Sequence, residues 1–137
     1  MKLKYTDTTQ RILIVLMLVV PLAGADQWAV GLSGSGTKID ASVVPGASPT
    51  SPTVLVIGGL SGEDASTSSI RLEVRAFESL PKNRRTYQLI AIPLANPDRA
   101  TLHFPPTGTA YREDAESHAL WRWIGIHAPD FVVVAAN

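Results

Sequence analysis

The sequence predicts an α/β protein of three layers, in which a mostly parallel sheet is covered by helices on both faces. Three runs, 53–57, 87–94 and 131–136, are apolar almost throughout, which is typical of strands buried on both faces of a parallel sheet. Between them lie 63–80 and 116–128, in which apolar residues recur at helical spacing. Strands and helices that alternate in this order predict parallel strands joined by right-handed crossovers.

Both predicted helices have recognisable ends. Pro81 ends the first helix, while Asp114 is the expected N-cap of the second and Pro129 ends it. Trp121 and Trp123 fall on different faces of the second helix, so we expect one of them to pack inward. The apolar residues expected to face the sheet are Ile70, Val74, Phe77 and Leu80 in the first helix and Leu120, Ile124 and Ala128 in the second.

The amino terminus has the pattern of a secretory signal peptide. Lys2, Lys4 and Arg11 precede the unbroken apolar run 12–20. Pro21 ends that run, and small residues follow at 23–25. We predict cleavage after Ala25 and export to the periplasm or the extracellular space. The alternative is an uncleaved anchor, but the run is shorter than the roughly 20 residues that span a membrane. No stable membrane anchor is therefore expected after cleavage.

The chain divides into three predicted segments. Residues 1–25 form the signal peptide, 26–52 an N-terminal strand and a loop rich in Gly, Ser and Pro, and 53–137 an α/β half-domain. Polar and apolar residues alternate over 38–44, which predicts a half-exposed antiparallel strand. Ligands of open α/β sheets bind at the carboxyl ends of the strands. Because the sequence stops at Asn137, directly after the third predicted strand, we expect a truncated domain.

Composition excludes several classes of function. Twelve Lys and Arg residues balance 12 Asp and Glu residues, so the net charge is zero and no basic surface favours nucleic acid. The chain has no cysteine, which excludes a disulfide framework and a thiolate metal site. Composition does not predict the oligomeric state.

The loop 58–64, between the first buried strand and the first helix, is a candidate site. Three chemistries fit its position: a phosphate at the helix start, Ser61 as the nucleophile of a strand-to-helix elbow, or a metal held by Glu63 and Asp64. Each lacks a part, because there is no Walker lysine, Glu63 replaces the last elbow glycine and no histidine is adjacent. The plain alternative is a glycine turn whose acidic residues favour the helix N-terminus.

Four segments resemble the zinc carboxypeptidase family, in the same order along the chain. Residues 31–39 match the signature G-x-S-x-x-G-x-x-I at every fixed position, and 53–64 match an apolar strand that the family follows with G-x-H-G-x-E. Residues 92–98 match a strand that ends in Asn-Pro-Asp, and 129–133 match the strand that delivers a second zinc histidine in the family. Together the four segments span nearly all of the mature chain.

The resemblance implies a carboxypeptidase-like fold, bound zinc, and hydrolysis of C-terminal bonds in a peptide or small amide. The metal positions that it aligns hold Ser61 in place of histidine and Asp64 in place of glutamate, with Glu63 as a further carboxylate. The second histidine would fall near Ala136, and the catalytic glutamate would lie beyond Asn137. We therefore expect this chain to bind no zinc and to be inactive, as a pseudoenzyme.

The resemblance also suggests two residues that bind substrate, Arg112 and Asn96. A guanidinium suits a substrate carboxylate, although Tyr111 replaces the asparagine that precedes this arginine in the family. An ion pair of Arg112 with a neighbouring carboxylate is an equal alternative. Asn96 and Asp98 are typical of residues that fix a turn, and Arg99 replaces the glycine that closes the family's Asn-Pro-Asp segment.

Three functions remain open from the sequence. The first is a zinc exopeptidase or related amidohydrolase, seen as a fragment. The second is a non-catalytic relative that binds peptides or cell-wall fragments. The third is a serine hydrolase that uses Ser61, although no His–Asp pair appears in the order that such an enzyme needs. His103, His118 and His127 have no metal-ligand spacing and are expected at the surface.

Overall fold

The computed structural model describes residues 25–135. The predicted signal peptide, apart from Ala25, and the aligned histidine position near Ala136 lie outside the described residues. Within residues 25–135, no helix has both the length and the apolar character that crossing a membrane requires.

Five strands form one mixed sheet. They are β1 Asp26–Leu32, β2 Lys38–Val44, β3 Thr53–Ile57, β4 Gln88–Ile92 and β5 Phe131–Val134. Their order across the sheet is β1-β2-β4-β3-β5. β2 is antiparallel to β1 and β4, whereas β3 is parallel to both β4 and β5. The predicted parallel strands and the antiparallel strand 38–44 are confirmed.

Two long helices cover opposite faces of this sheet. The helices are α1 Ala65–Ser79, the short α2 Ala110–Glu113 and α3 Ala115–His127, with a 3-10 turn at Lys82–Arg84. Successive side chains of a strand point to opposite faces, and in β4 Leu89 packs with α1 whereas Ile90 packs in the cluster of α3. The predicted three-layer α/β arrangement is confirmed. Trp123 packs inward with 4 % of its surface exposed, while Trp121 is 45 % exposed.

Strand β1 is absent from the sequence-based prediction. Its side chains are mostly exposed, because it pairs only with β2 and lies at one edge of the sheet. The segment also contains Asp26 and Gly31, which are unfavourable in strands. The residues of β1 therefore show no alternation of buried and exposed side chains that would predict a strand. Only the pairing with β2 establishes it as a strand.

Strand β5 corrects the prediction of a third central strand buried on both faces. Phe131, Val132, Val133 and Val134 are exposed to between 42 and 61 %. β5 is an edge strand of the sheet that residues 25–135 form. Helix α1 packs on β2 and β4, and α3 packs on β1, so neither helix covers these side chains.

The helix ends differ from the prediction by one or two residues. α1 begins at Ala65 rather than Glu63, because Asp64 is its N-cap. Leu80 is the C-cap of α1 and 41 % exposed, so it does not face the sheet. Ala128 is likewise exposed, since it is the C-cap of α3 with φ of 41°.

The topology brings three connections to one edge of the sheet. β3 and β4 both end there, followed by the loops 58–64 and 93–109. Because β2 is antiparallel to β4, the turn 33–37 between β1 and β2 lies at the same edge. We call this edge, with segments 33–37, 58–64 and 93–114, the carboxyl edge.

Candidate functional site

The turn 33–37 at the carboxyl edge is closed by its own hydroxyl groups. The backbone N–H of Ser33 donates to the Thr37 carbonyl at 2.8 Å, and the backbone N–H of Thr37 donates to the Ser33 hydroxyl oxygen at 3.0 Å. Ser33 is buried, and Ile39, the last residue of the signature, is fully buried in the core. The signature residues therefore stabilise the turn and anchor it to the sheet.

Asp98 ties this turn to the loop that follows β4. The Ser35 hydroxyl donates to Oδ1 of Asp98 at 2.6 Å, and the Ser35 backbone N–H donates to Oδ2 at 2.7 Å. These two bonds, the hydroxyl foremost, hold the pKa of Asp98 below its ordinary value. Both oxygens of the carboxylate thus accept bonds from a neighbouring connection.

Asn96 joins the loops 58–64 and 93–109. Its Nδ2 donates to the carbonyls of Leu60 at 2.8 Å and Ala100 at 2.7 Å, and its Oδ1 accepts the backbone N–H of Ala100 at 3.2 Å. The side chain is fully buried. Three bonds to backbone groups fit the turn-fixing role, and the binding of substrate by Asn96 stays a prediction.

Gly59 lets the two loops approach each other closely. Its backbone carbonyl accepts the N–H of Asn96 at 3.0 Å, and its φ is 62°, in the left-handed region that favours glycine. A Cβ on Gly59 would lie 2.8 Å from the Cα of Leu94 and 2.8 Å from Oγ1 of Thr67. The glycine is required here because any side chain would push the loops apart.

Asp64, one of the aligned metal positions, caps helix α1. Its Oδ1 accepts the backbone N–H of Ser66 at 2.9 Å, the hydroxyl of Ser66 at 2.6 Å and the backbone N–H of Thr67 at 3.3 Å. Thr67 returns a bond, since its hydroxyl accepts the Asp64 backbone N–H at 3.4 Å. This is a reciprocal capping box.

The other aligned metal positions do not fit zinc either. Ser61 is exposed, and a serine hydroxyl is not a usual zinc ligand. Glu63 forms an exposed ion pair with Arg71 at 2.7 Å. Within residues 25–135, no three side chains of the kinds that hold metals lie close enough together to form a site. The donors in this part of the chain therefore do not fit a tetrahedral zinc centre.

The structure pairs His103 with Asp114, which sequence order did not reveal. Nδ1 of His103 lies 2.9 Å from Oδ2 of Asp114, and the same oxygen accepts the His103 backbone N–H at 3.0 Å. The hydroxyl of Ser117 donates to the His103 carbonyl at 2.6 Å. The ring bond foremost, and then the backbone bond, lower the pKa of Asp114. The two residues lie 11 positions apart, with α2 between them, and no motif spacing signals the pair.

Asp114 occupies the N-cap position of α3 as predicted, but its side chain makes no capping bond. The carboxylate turns to His103 instead. A bond to a histidine and its backbone satisfies the acid without using the N–H groups of the first helical turn. The predicted cap is therefore right in position and wrong in its bonding.

Arg112 lies exposed on α2, at the carboxyl edge. Within the described residues its guanidinium makes no ion pair or hydrogen bond, so neither Glu113 nor Asp114 pairs with it. The remaining two histidines, both in α3, pack on aromatic rings at different places along the helix. His118 meets Tyr111 edge-on at 4.7 Å, and His127 stacks on Trp123 at 3.7 Å. These placements leave Arg112 as the predicted substrate-binding residue that is accessible.

Comparisons with known proteins detect likeness in structure and not in sequence. No family model and no curated protein matches the chain. Among solved structures, bovine thrombin-activatable fibrinolysis inhibitor has a TM-score of 0.64 at 11 % identity, over 82 % of this chain and 53 % of that one. The metallo-carboxypeptidase of Pseudomonas aeruginosa has 0.63 at 17 %, over 82 % and 35 %. An aspartoacylase family protein of Mesorhizobium loti has 0.58 at 14 %, over 86 % and 42 %.

The present chain thus spans between about a third and a half of the length of these structures. Identities this low establish a common fold and nothing finer. The turn 33–37 and the loops 58–64 and 93–109 hold the carboxyl edge together. The chain has a carboxypeptidase-like α/β fold.

Proposed function

We propose that this chain is an exported carboxypeptidase-like protein that binds a peptide or small amide at its carboxyl edge and does not hydrolyse it. One observation carries the proposal: the carboxylate at the aligned glutamate position, Asp64, accepts three hydrogen bonds from the first turn of α1. The neighbouring aligned position, Ser61, supplies no usual ligand. Without zinc, no water is activated near neutral pH.

The binding half of the proposal rests on the rigidity of the carboxyl edge. Asn96 and Asp98 connect three separate segments through buried or bidentate hydrogen bonds. Such preorganisation lowers the entropy that a ligand loses on binding. Arg112 is accessible at this edge and suits a carboxylate. A rigid edge with accessible cations is an arrangement that binds ligands without needing catalytic groups.

A zinc exopeptidase is the second candidate, and the solved structures favour it. The structural neighbours include metallo-carboxypeptidases, and this chain spans only part of their length. An enzyme of that kind would need its remaining ligands and its catalytic base from residues that this sequence does not contain.

The third candidate, a serine hydrolase, gains one observation. His103 and Asp114 form an oriented pair at the carboxyl edge, where Ser61 also lies. Within the described residues, no hydrogen bond joins a serine hydroxyl to the His103 ring, and the Ser117 hydroxyl bonds a backbone carbonyl instead. The pair therefore has a base and its orienting acid but no bonded nucleophile.

The test measures binding and cleavage in one sample. The mature chain is mixed with a panel of N-blocked dipeptides, with and without added zinc chloride. Amide chemical shifts report binding, and mass spectrometry of the peptides reports cleavage. We expect shifts in the segments 33–37, 58–64 and 93–114 and intact peptides. Release of the C-terminal amino acid that a chelator stops would establish the exopeptidase instead. Release that Ser61→Ala abolishes would establish the serine hydrolase.

A further inference from the structure

Arg99 lies across the loop 58–64 in a conformation that arginine seldom adopts. Its φ is 58°, and Gly62, which it contacts, has φ of 98°. A Cβ on Gly62 would lie 2.4 Å from Cγ of Arg99 and 3.1 Å from both its Cδ and its Nε. The stem of the arginine therefore rests directly on the backbone of Gly62, next to Ser61.

Hydrogen bonds on both sides hold this backbone in place. The Arg99 N–H donates to the Asn96 carbonyl at 3.2 Å, and the following residue, Ala100, is bonded through its N–H and its carbonyl to the buried Asn96 side chain. The same side chain reaches Leu60 in the loop below. A left-handed conformation of a non-glycine residue is costly and persists where the surrounding structure determines it. The position of the arginine is thus set before any ligand arrives.

The carboxylates near Arg99 are bonded to other groups. Asp98, its neighbour in sequence, accepts two bonds from Ser35, and Glu63 pairs with Arg71. Within residues 25–135, no hydrogen bond or ion pair uses the guanidinium of Arg99, and none uses the hydroxyl of Ser61. A guanidinium has five N–H donors in a planar fork, which match two oxygens of one anion. The guanidinium of Arg99, which lies over the loop 58–64, is therefore available to a ligand.

We propose that Arg99, lying on Gly62 beside Ser61, forms an oxyanion-binding site over the loop between β3 and α1. The ligand is a carboxylate or a phosphate, which share the paired oxygens that a guanidinium binds. The site therefore prefers an anion as its ligand. It lies at the loop where the sequence resemblance would place a bound zinc cation. This inference rests on the proposed function, because it names the chemical group that the carboxyl edge recognises.

The experiment titrates three probes into the mature chain and follows backbone amide shifts. The probes are N-acetyl-glycylglycine, its C-terminal amide, and inorganic phosphate. Binding of an oxyanion should shift the amides of Ser61 and Gly62, whereas the neutral amide probe should not compete. Whether the dipeptide or phosphate binds more tightly identifies the source of the oxyanion, and either result supports the site.

Two matched variants locate the charge. Arg99→Asn removes the guanidinium and keeps a residue that tolerates a left-handed backbone, so the fold is retained. Arg122→Gln removes an exposed arginine of α3 that lies outside the carboxyl edge and is the control. We expect Arg99→Asn to weaken oxyanion binding by about tenfold, the effect of losing a charge-assisted hydrogen bond, and Arg122→Gln to leave it unchanged. Arg99→Gly, with an unstrained backbone, should match Arg99→Asn.

Three results would overturn the inference. These are equal affinity for the acid and its amide, a loss of binding in Arg122→Gln as large as that in Arg99→Asn, or no oxyanion binding at all. If acid and amide bind the carboxyl edge equally and Arg99→Asn changes neither, the oxyanion site is wrong while the proposed binding function survives. If peptide is cleaved, the proposed function fails independently of Arg99.

Discussion

At the scale of single residues, Gly59 lies where the loops 58–64 and 93–109 pack directly against each other. We expect Gly59→Ala to lower the free energy of unfolding by more than about 1 kcal/mol, because φ of 62° disfavours alanine and its Cβ would collide with Leu94. Urea unfolding measures the change. The control is Gly125→Ala in α3, where no atom lies within 4 Å of an added Cβ. That variant should gain about 0.5–1 kcal/mol, and equal losses in both would contradict the packing described.

Two substitutions of Asp64 distinguish a helix-capping role of this residue from a metal-binding role. Asp64→Ala should cost about 1 kcal/mol of stability in a metal-free buffer, since it removes the acceptor for the N–H groups of Ser66 and Thr67. Asp64→Asn should cost little, because asparagine caps helices as well as aspartate does. Thermal unfolding of both variants tests this. A loss in Asp64→Asn as large as that in Asp64→Ala would mean that the charge, and not the cap, matters.

The lowered pKa of Asp98 predicts how the stability of the fold responds to acid. Its folded-state pKa is lowered by Ser35, so the stabilisation is present above the ordinary aspartate pKa and is lost as pH falls through the folded-state value. We expect Asp98→Asn to show a shallower loss of stability than the original chain below about pH 4. Urea midpoints between pH 6 and pH 3 measure this. Asp40→Asn, at an exposed position of β2, is the control, and identical slopes for all three proteins would contradict the prediction.

At the scale of elements, the side chains of β5 contribute less to the stability of the fold than those of the neighbouring strand β3. Val133 is 49 % exposed, whereas Ile57 in β3 is fully buried. We expect Val133→Thr to change the free energy of unfolding by less than about 0.5 kcal/mol, and Ile57→Ala to cost about 2–5 kcal/mol. Urea unfolding compares them. A large loss in Val133→Thr would show that another surface covers β5 in solution.

The elements that the sequence predicts well are those whose own residues determine them. β3 and β4 are apolar runs between turn residues, and the amphipathic period of α1 ends at a proline. β1 escapes prediction because its exposed side chains have no pattern of burial, so only its pairing with β2 identifies it. The burial of β5 is mispredicted for the opposite reason, since an apolar run indicates burial only if something packs on it.

The candidate site is predictable in part for the same physical reason. Gly59 and Asn96 stand out in the sequence because turn chemistry is local. The pairing of His103 with Asp114 and the contact of Arg99 with Gly62 depend on how separate loops meet. Arg99 has one signal in the sequence, since it replaces the glycine expected after Asn-Pro-Asp, and that glycine position proves to need a positive φ. The substitution is visible from sequence, but its consequence is visible only in the fold.

At the scale of the whole molecule, the chain has a carboxypeptidase-like fold, and Asp64, one of the positions that the resemblance aligns with metal binding, caps helix α1. Apolar side chains form one core cluster on each face of the sheet, and the polar side chains of Asn96 and Asp98, which hold the loops, lie at the carboxyl edge. The central claim is that this edge recognises a ligand without a metal. A fold can keep its framework in this way because the framework and the chemistry depend on different residues.

Calorimetric titration of the mature chain with zinc tests that claim most directly. We predict no stoichiometric binding at micromolar zinc, because Asp64 caps α1 and Ser61 is not a usual ligand. Asp64→Asn is the matched variant, since it keeps the cap and removes the anionic ligand, and it should give the same featureless titration. One tight site per chain that disappears in Asp64→Asn would show that the Asp64 carboxylate binds zinc.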